Sequence, residues 1–176
     1  MTDLDAVIDR LVRPIADWPE PGVTFRDISP LLADPGAFGA VVDGLVELAR
    51  IEGPVDAVLG VEARGFLFGP SIALQLGVAF VPVRKAGKLP SESFSTSYDL
   101  EYGSATLEMH VDALAPDSRV LVVDDVLATG GTLLAATDLV AQAGGVVAGH
   151  LVLIELMALG GRERLGAARC SALRSY

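Results

Sequence analysis

Cysteine, histidine, lysine and tryptophan are all scarce in this sequence, at one, two, two and one among 176 residues. Each shortage removes a class of protein. Cys170 is alone, so no internal disulfide can form and a reducing compartment is expected. His110, His150 and Cys170 make no His/Cys cluster of the kind that holds zinc, and each is expected to be structural or on the surface. No apolar stretch reaches the ~20 residues needed to span a bilayer, so no membrane partner is expected. The start, Met1-Thr2-Asp3-Leu4-Asp5, lacks the basic region and apolar run of a signal peptide, and a cytoplasmic location is expected. Positive charge is also short: 13 Lys and Arg face 23 Asp and Glu, a formal net charge of −10. An acidic chain repels nucleic-acid phosphates unless its basic residues cluster, so no nucleic-acid partner is expected. Any anionic ligand must be held by local devices such as helix N-termini, bound metal or a few placed Arg and Lys. Two phosphate motifs are missing. Without G-x-x-x-x-G-K-[ST] this is no P-loop NTPase, and without G-x-G-x-x-G no dinucleotide fingerprint is present.

Apolar residues are plentiful, at 51%, and the length suits one α/β domain over 1–176. Leu4, Ala6-Val7-Ile8 and Leu11-Val12 have helical spacing, which Pro14 ends. A proline-rich connector, Asp17 to Gly22, follows. Asp34-Pro35 starts a helix whose buried face is Phe38, Val41, Val42, Leu45, Val46 and Ala49, and Gly53-Pro54 stops it. The chain then alternates: strand 55–61, helix 65–76, strand 78–83, strand 119–124, helix 132–143, strand 146–155. Residues 86–101 are weakly patterned and read as a mobile loop flanked by short antiparallel strands. Alternating strands and helices imply a mostly parallel twisted sheet flanked by helices, with ligands at the carboxyl ends of its strands.

The strongest motif is Val122-Val123-Asp124-Asp125-Val126-Leu127-Ala128-Thr129-Gly130-Gly131-Thr132. Gly130 and Gly131 let the backbone approach a ligand and offer bare N–H groups. Thr129 and Thr132 add hydroxyl donors, and the helix start adds a positive dipole end. Together they form a phosphate cradle. Asp124 and Asp125 repel phosphate but suit a sugar's hydroxyl pair or the water shell of Mg²⁺. A second charged turn, Glu62-Ala63-Arg64-Gly65-Phe66, follows a strand, and Arg64 can hold a phosphate in a bidentate grip. Arg84-Lys85-Ala86-Gly87-Lys88 gathers both lysines into one positive spot, suited to a leaving group that departs with negative charge. Read alone, Arg64 could equally be a surface arginine, the lysines a solvated turn and Phe25 a core residue.

The Asp124–Thr132 stretch resembles the phosphoribosyl pyrophosphate signature of the type I phosphoribosyltransferases. Pro21-Gly22-Val23-Thr24-Phe25-Arg26-Asp27-Ile28-Ser29-Pro30 and Ser97-Tyr98-Asp99-Leu100-Glu101-Tyr102-Gly103 resemble that family's adenine branch. Four motifs stand in the family's order over about residues 14–165. The resemblance implies that fold, with an N-terminal hood over about 1–34 and a flexible catalytic lid over about 86–103. It implies that Asp124 and Asp125 hold the ribose hydroxyls and that Ala128, Thr129, Gly130, Gly131 and Thr132 hold the 5-phosphate. It places Arg64 in a pyrophosphate loop, often with a cis peptide, and adds Arg84, Lys85, Lys88 and Tyr102 to the pyrophosphate-bearing substrate. Arg84 would serve a neighbouring subunit, which requires a homodimer. Phe25 would stack on adenine, with Thr24, Arg26 and Leu127 also contacting the base. Glu101 would be the acid/base, although the residues alone give it no priority over Asp99 or Glu92. The implied reaction joins adenine to phosphoribosyl pyrophosphate, with Mg²⁺, to make AMP. An oxopurine transferase would want a cation after the signature helix. No lysine lies beyond Lys88; Arg162, Arg164, Arg169 and Arg174 could in principle substitute, but Glu155-Leu156 in the matching region offers nothing basic. A non-catalytic regulator that senses phosphoribosyl pyrophosphate is the other alternative.

Overall fold

The computed structural model of the protein describes residues 4–99 and 104–176. Glu101 and Tyr102 lie outside the described residues. The chain divides between Gly44 and Leu45 into two compact units.

In the first unit, helix α1 (Leu4–Leu11) buries Val7 and Ile8. Strands β1 (Arg13–Ile15) and β2 (Phe25–Asp27) pair antiparallel, with Ile15 opposite Phe25. Pro14 is tolerated in β1 because each strand of a two-stranded sheet has a free edge. The connector turns on Asp17, whose φ is 56° and whose Oδ1 accepts the Gly22 N–H at 2.8 Å. Asp27 opens the short helix α2 (Ser29–Leu32). Its Oδ1 accepts the Ser29 hydroxyl at 2.6 Å and the Ser29 N–H at 2.9 Å, and its Oδ2 accepts Arg13 Nη2 at 2.5 Å. These bonds, led by those from Ser29, hold the Asp27 carboxyl at about 2. Helix α3 (Pro35–Ile51) begins at Asp34, whose Oδ1 accepts the N–H groups of Gly36 and Ala37, both at 3.0 Å. Val41, Val42, Leu45, Val46 and Ala49 form its buried face, while Phe38 is half-buried.

The second unit is a seven-stranded sheet in the order β5-β6-β4-β3-β7-β8-β9. The strands are β3 (Ala57–Val61), β4 (Ala79–Lys85), β5 (Ser93–Asp99), β6 (Ser104–His110), β7 (Arg119–Leu127), β8 (Val146–Glu155) and β9 (Cys170–Ser175). From β4 to β9 neighbours run parallel, and β5 and β6 are antiparallel. Every residue of β3 is buried, as a central parallel strand requires. Helices α4 (Gly65–Leu76) and α5 (Gly131–Gln142) follow β3 and β7. Leu59, Val83, Val122, Leu133, Leu139 and Val152 lie in the core between sheet and helix.

Four elements named below differ from the sequence expectation. β7 runs three residues past Asp124, because β8 pairs with it as far as Leu127 opposite Glu155. The acidic pair therefore sits inside the strand rather than at its end. Residues 93–99, expected within a mobile loop, form strand β5 paired along its length with β6. Its alternation is disguised: Phe94, Thr96 and Tyr98 are half-buried while the exposed face is serine. Finally, β9 and helix α6 (Gly161–Leu165) give the C-terminal residues regular structure that no pattern announced.

Candidate active site

The parallel strands β4, β3 and β7 lie side by side; β3 and β4 lead charged residues out at their carboxyl ends, and β7 carries its own from within the strand. β7 contributes the acidic pair. Asp124 Oδ1 accepts the N–H of Asp125 at 2.9 Å. The Asp125 side chain is 2% exposed, and Arg64 Nε stands 2.9 Å from its Oδ2. That oxygen accepts no aligned hydrogen bond, so the contact is an ion pair only. Burial pushes both carboxyls above their ordinary range, and the neighbouring Asp125 charge pushes Asp124 further. One oxygen of the pair, Asp125 Oδ2, accepts no hydrogen bond, and a sugar hydroxyl or a metal-bound water is a donor of the right kind.

After Leu127 the chain turns through Gly130, whose φ of 81° caps α5 and suits glycine. Gly131 then opens the helix, and Thr132 Oγ1 donates to Tyr98 Oη at 3.3 Å. The first turn of α5 thus meets strand β5. N–H groups at a helix start, with threonine hydroxyls beside them, form an anion cradle.

β3 ends in Glu62-Ala63-Arg64, and the Glu62–Ala63 peptide is cis, as the resemblance implied. Gly65 fits where nothing larger could: a Cβ there would lie 2.6 Å from Val123 O and 3.4 Å from Asp124 Cα. The Arg64 turn is thereby packed directly on the acidic pair. Glu62 collects the positive spot. It accepts Arg84 Nε at 3.0 Å, Lys85 N at 2.9 Å and Lys88 Nζ at 3.0 Å. Burial alone would raise its carboxyl, but bonds from the Lys85 N–H, Lys88 and Arg84 outweigh it and bring the value to about 2. A carboxyl so lowered stabilises the protein above its ordinary value of 4.5, and that contribution fades as pH falls from 4.5 towards 2. In Glu62→Gln, melting temperature should therefore decline less steeply across that window than in the wild type. Parallel slopes would disprove the assignment.

In the first unit, Phe25 meets Trp18 edge to face, with ring centroids 4.5 Å apart. Thr24 is exposed, and Arg26 pairs with Pro14 in the strand register.

The phosphoribosyl transferase domain family matches residues 35–173. An adenine phosphoribosyltransferase of Thermobifida fusca is 56% identical over 172 residues, covering 98% of this chain and 97% of that protein. One from Streptomyces coelicolor is 57% identical over 92% of this chain and 88% of its own length. The crystal structure of the enzyme from Thermoanaerobacter pseudethanolicus superposes with a TM-score of 0.93 at 44% identity, covering 99% of this chain and 100% of that one. The chain belongs to the adenine phosphoribosyltransferase family. The Saccharomyces cerevisiae member, solved with adenine and an imino-altritol bisphosphate, has a TM-score of 0.92 at 39% identity, covering 98% and 99% of the two chains.

Within this family member the second unit brings together Arg64 and Asp125, and Arg84, Lys85 and Lys88 around one carboxylate. The reading of single motifs overlooked that carboxylate, Glu62, because an acid beside a proposed anion site argues against the site until the cations are seen to bind it. It also overlooked Trp18 and Tyr98. The signal for Trp18 was present: the lone tryptophan lies in a proline-rich connector just before Phe25.

Proposed function

We propose that the protein forms AMP and pyrophosphate from adenine and 5-phosphoribosyl 1-pyrophosphate, a purine salvage step in the cytoplasm, working as a homodimer. The observation that carries this reading is the buried acidic pair on β7, one oxygen of which accepts no hydrogen bond, followed by a glycine- and threonine-lined helix start.

The 5-phosphate is held by the N–H groups and hydroxyls of residues 128–132, and the ribose 2′- and 3′-hydroxyls donate to Asp124 and Asp125. The pyrophosphate takes Arg64, Arg84, Lys85 and Lys88, with Tyr102 also on this substrate. As the bond from C1′ to the pyrophosphate oxygen breaks, positive charge grows on the sugar and negative charge on the leaving group. The acidic pair favours the first and the cations favour the second. Adenine stacks on Phe25, with Leu127 and the main chain of Thr24 and Arg26 as further contacts, and its N9 bonds C1′. Glu101 exchanges the purine proton. The lid over residues 86–103, of which residues 93–99 are strand β5 rather than loop, excludes water, which would otherwise hydrolyse the sugar cation. Mg²⁺ fits the same acidic pair through bound water, and when bound it supplies further positive charge beside the pyrophosphate.

AMP formation from adenine should be fast, with hypoxanthine and guanine turned over at least 100-fold more slowly. Turnover of an oxopurine would overturn the Phe25 and Arg26 assignments alone. Binding of phosphoribosyl pyrophosphate with no turnover of any base would favour the regulator. Trp18 is the chain's one tryptophan and touches Phe25, so adenine should change its fluorescence, and Phe25→Leu should abolish that change.

A further inference from the structure

We propose that the Glu155–Arg162 pair positions the 5-phosphate loop, which makes Arg162 a positioning residue of the transfer reaction. The inference rests on reading residues 128–132 as the phosphate loop.

The loop does not support itself. Ala128-Thr129-Gly130-Gly131 contains two adjacent glycines, and glycine loses more conformational freedom on ordering than any other residue. Something outside must hold it in a binding shape, and Gly161 is in place to do so. A Cβ on Gly161 would lie 2.2 Å from Ala128 O and 2.7 Å from Leu127 Cδ1, and a Cβ on Gly130 would lie 2.9 Å from Gly161 O. The backbone at 161 therefore bears directly on the loop backbone at 128–130.

The next residue fixes that backbone to the sheet. Arg162 Nε donates to Glu155 Oε1 at 2.7 Å and Nη2 to Oε2 at 2.5 Å. Arg162 Nη1 donates to Cys170 O at 2.6 Å. Glu155 ends β8, its side chain is 7% exposed, and it stands opposite Leu127 in the strand register. The far end of the segment is tied down too. Leu156 N–H donates to Leu127 O, Met157 N–H to Tyr176 O and Tyr176 N–H to Glu155 O, each at 2.9 Å. Residues 156–165 thus form a strap, anchored on β7, β8 and β9, whose middle presses on the loop. A bidentate guanidinium–carboxylate pair fixes direction as well as distance, which a single lysine contact cannot do.

A loop held in shape binds phosphate without first paying to order itself. Loosening the strap should weaken phosphoribosyl pyrophosphate and spare the base and the chemistry. The test is steady-state kinetics of Arg162→Met, Arg162→Lys and Gly161→Ala, run well below each variant's melting temperature. Arg162→Met and Gly161→Ala should raise KM for phosphoribosyl pyrophosphate about tenfold, and Arg162→Met, which puts no new atom against Leu127, should keep KM for adenine within about twofold and kcat within about threefold. Arg162→Lys should fall between Arg162→Met and the wild type. A lower melting temperature with unchanged KM would make the strap merely structural and overturn the proposal. If Arg162→Met fails to fold, Gly161→Ala decides alone, because it moves the loop without removing the ion pair. Thr129→Ala/Thr132→Ala serves as the control. If it leaves KM for phosphoribosyl pyrophosphate unchanged, the phosphate-loop reading fails and takes this proposal with it. If it raises KM while the strap variants do not, only the strap is wrong.

Discussion

Asp125→Asn should melt higher than the wild-type protein while losing about 100-fold in kcat/KM for phosphoribosyl pyrophosphate. Both effects have one cause. Asp125 is almost fully buried, one of its oxygens accepts no hydrogen bond, and Asp124 is its neighbour in the strand. A buried carboxylate with one oxygen left unbonded costs stability. Its carboxyl is raised above the ordinary 3.8, chiefly by burial. A raised acid is favoured in its protonated form in the native protein, so stability is highest below 3.8 and falls as pH rises through the raised value. Asparagine has no charge to bury, and its amide can donate towards Asp124. A gain of about 1–3 kcal/mol is expected at neutral pH, or roughly 3–10 °C at this chain length. The gain should shrink as pH falls through that raised value and the wild-type acid takes up its proton. The activity loss follows because hydrogen bonds to a charged group contribute about 1.5–3 kcal/mol, and each 1.36 kcal/mol is tenfold. Scanning calorimetry across pH and initial-rate kinetics measure the two halves. A variant that melts lower, or that keeps near-normal kcat/KM, would remove the acidic pair from the site.

The sequence disclosed those parts of the molecule whose physics is local. Asp34-Pro35 caps a helix by bonds within three residues, and α3 starts there. Helix α4 spans residues 65–76 as expected and closes on Gly77 at a φ of 70°. Long-range pairing was hidden. β7 outruns its apolar run because β8 supplies partners beyond Asp124, and β5 is a strand although serines fill its outer face. The site divides the same way. The stretch proposed as the phosphate cradle is contiguous, so its strand, glycine turn and helix start could be read directly. Glu62 could be recognised as the organiser of Arg84 and Lys88 only once the parallel pairing of β3 and β4 brought residues 22 and 26 positions apart together. The strap depends on Glu155, Arg162 and Cys170 meeting across two strands and a helix. No spacing rule in a sequence encodes such a meeting.

Arg64→Met should lower both stability and activity, and a second substitution should restore only the first. The guanidinium of Arg64 is the cation beside Asp125. Removing it leaves the buried carboxyl facing Asp124 with that compensation lost. Full loss of one partner in a buried pair costs about 3–5 kcal/mol. Arg64 is 41% exposed, so water screens part of its charge and about 2 kcal/mol is expected, or roughly 4–8 °C. In Arg64→Met/Asp125→Asn the uncompensated charge is gone. The double variant should melt within a few degrees of Asp125→Asn, a coupling of about 1–2 kcal/mol in a double-mutant cycle. Its activity should stay at or below that of the worse single variant, because the proposed pyrophosphate and ribose contacts are then both missing. Additive melting shifts would mean that Arg64 and Asp125 act independently. Recovery of activity along with stability would mean that Arg64 serves the fold alone. The expected split gives Arg64 two roles in the proposed mechanism: it offsets Asp125 before substrate arrives, and it turns to the pyrophosphate once a ribose hydroxyl donates to Asp125.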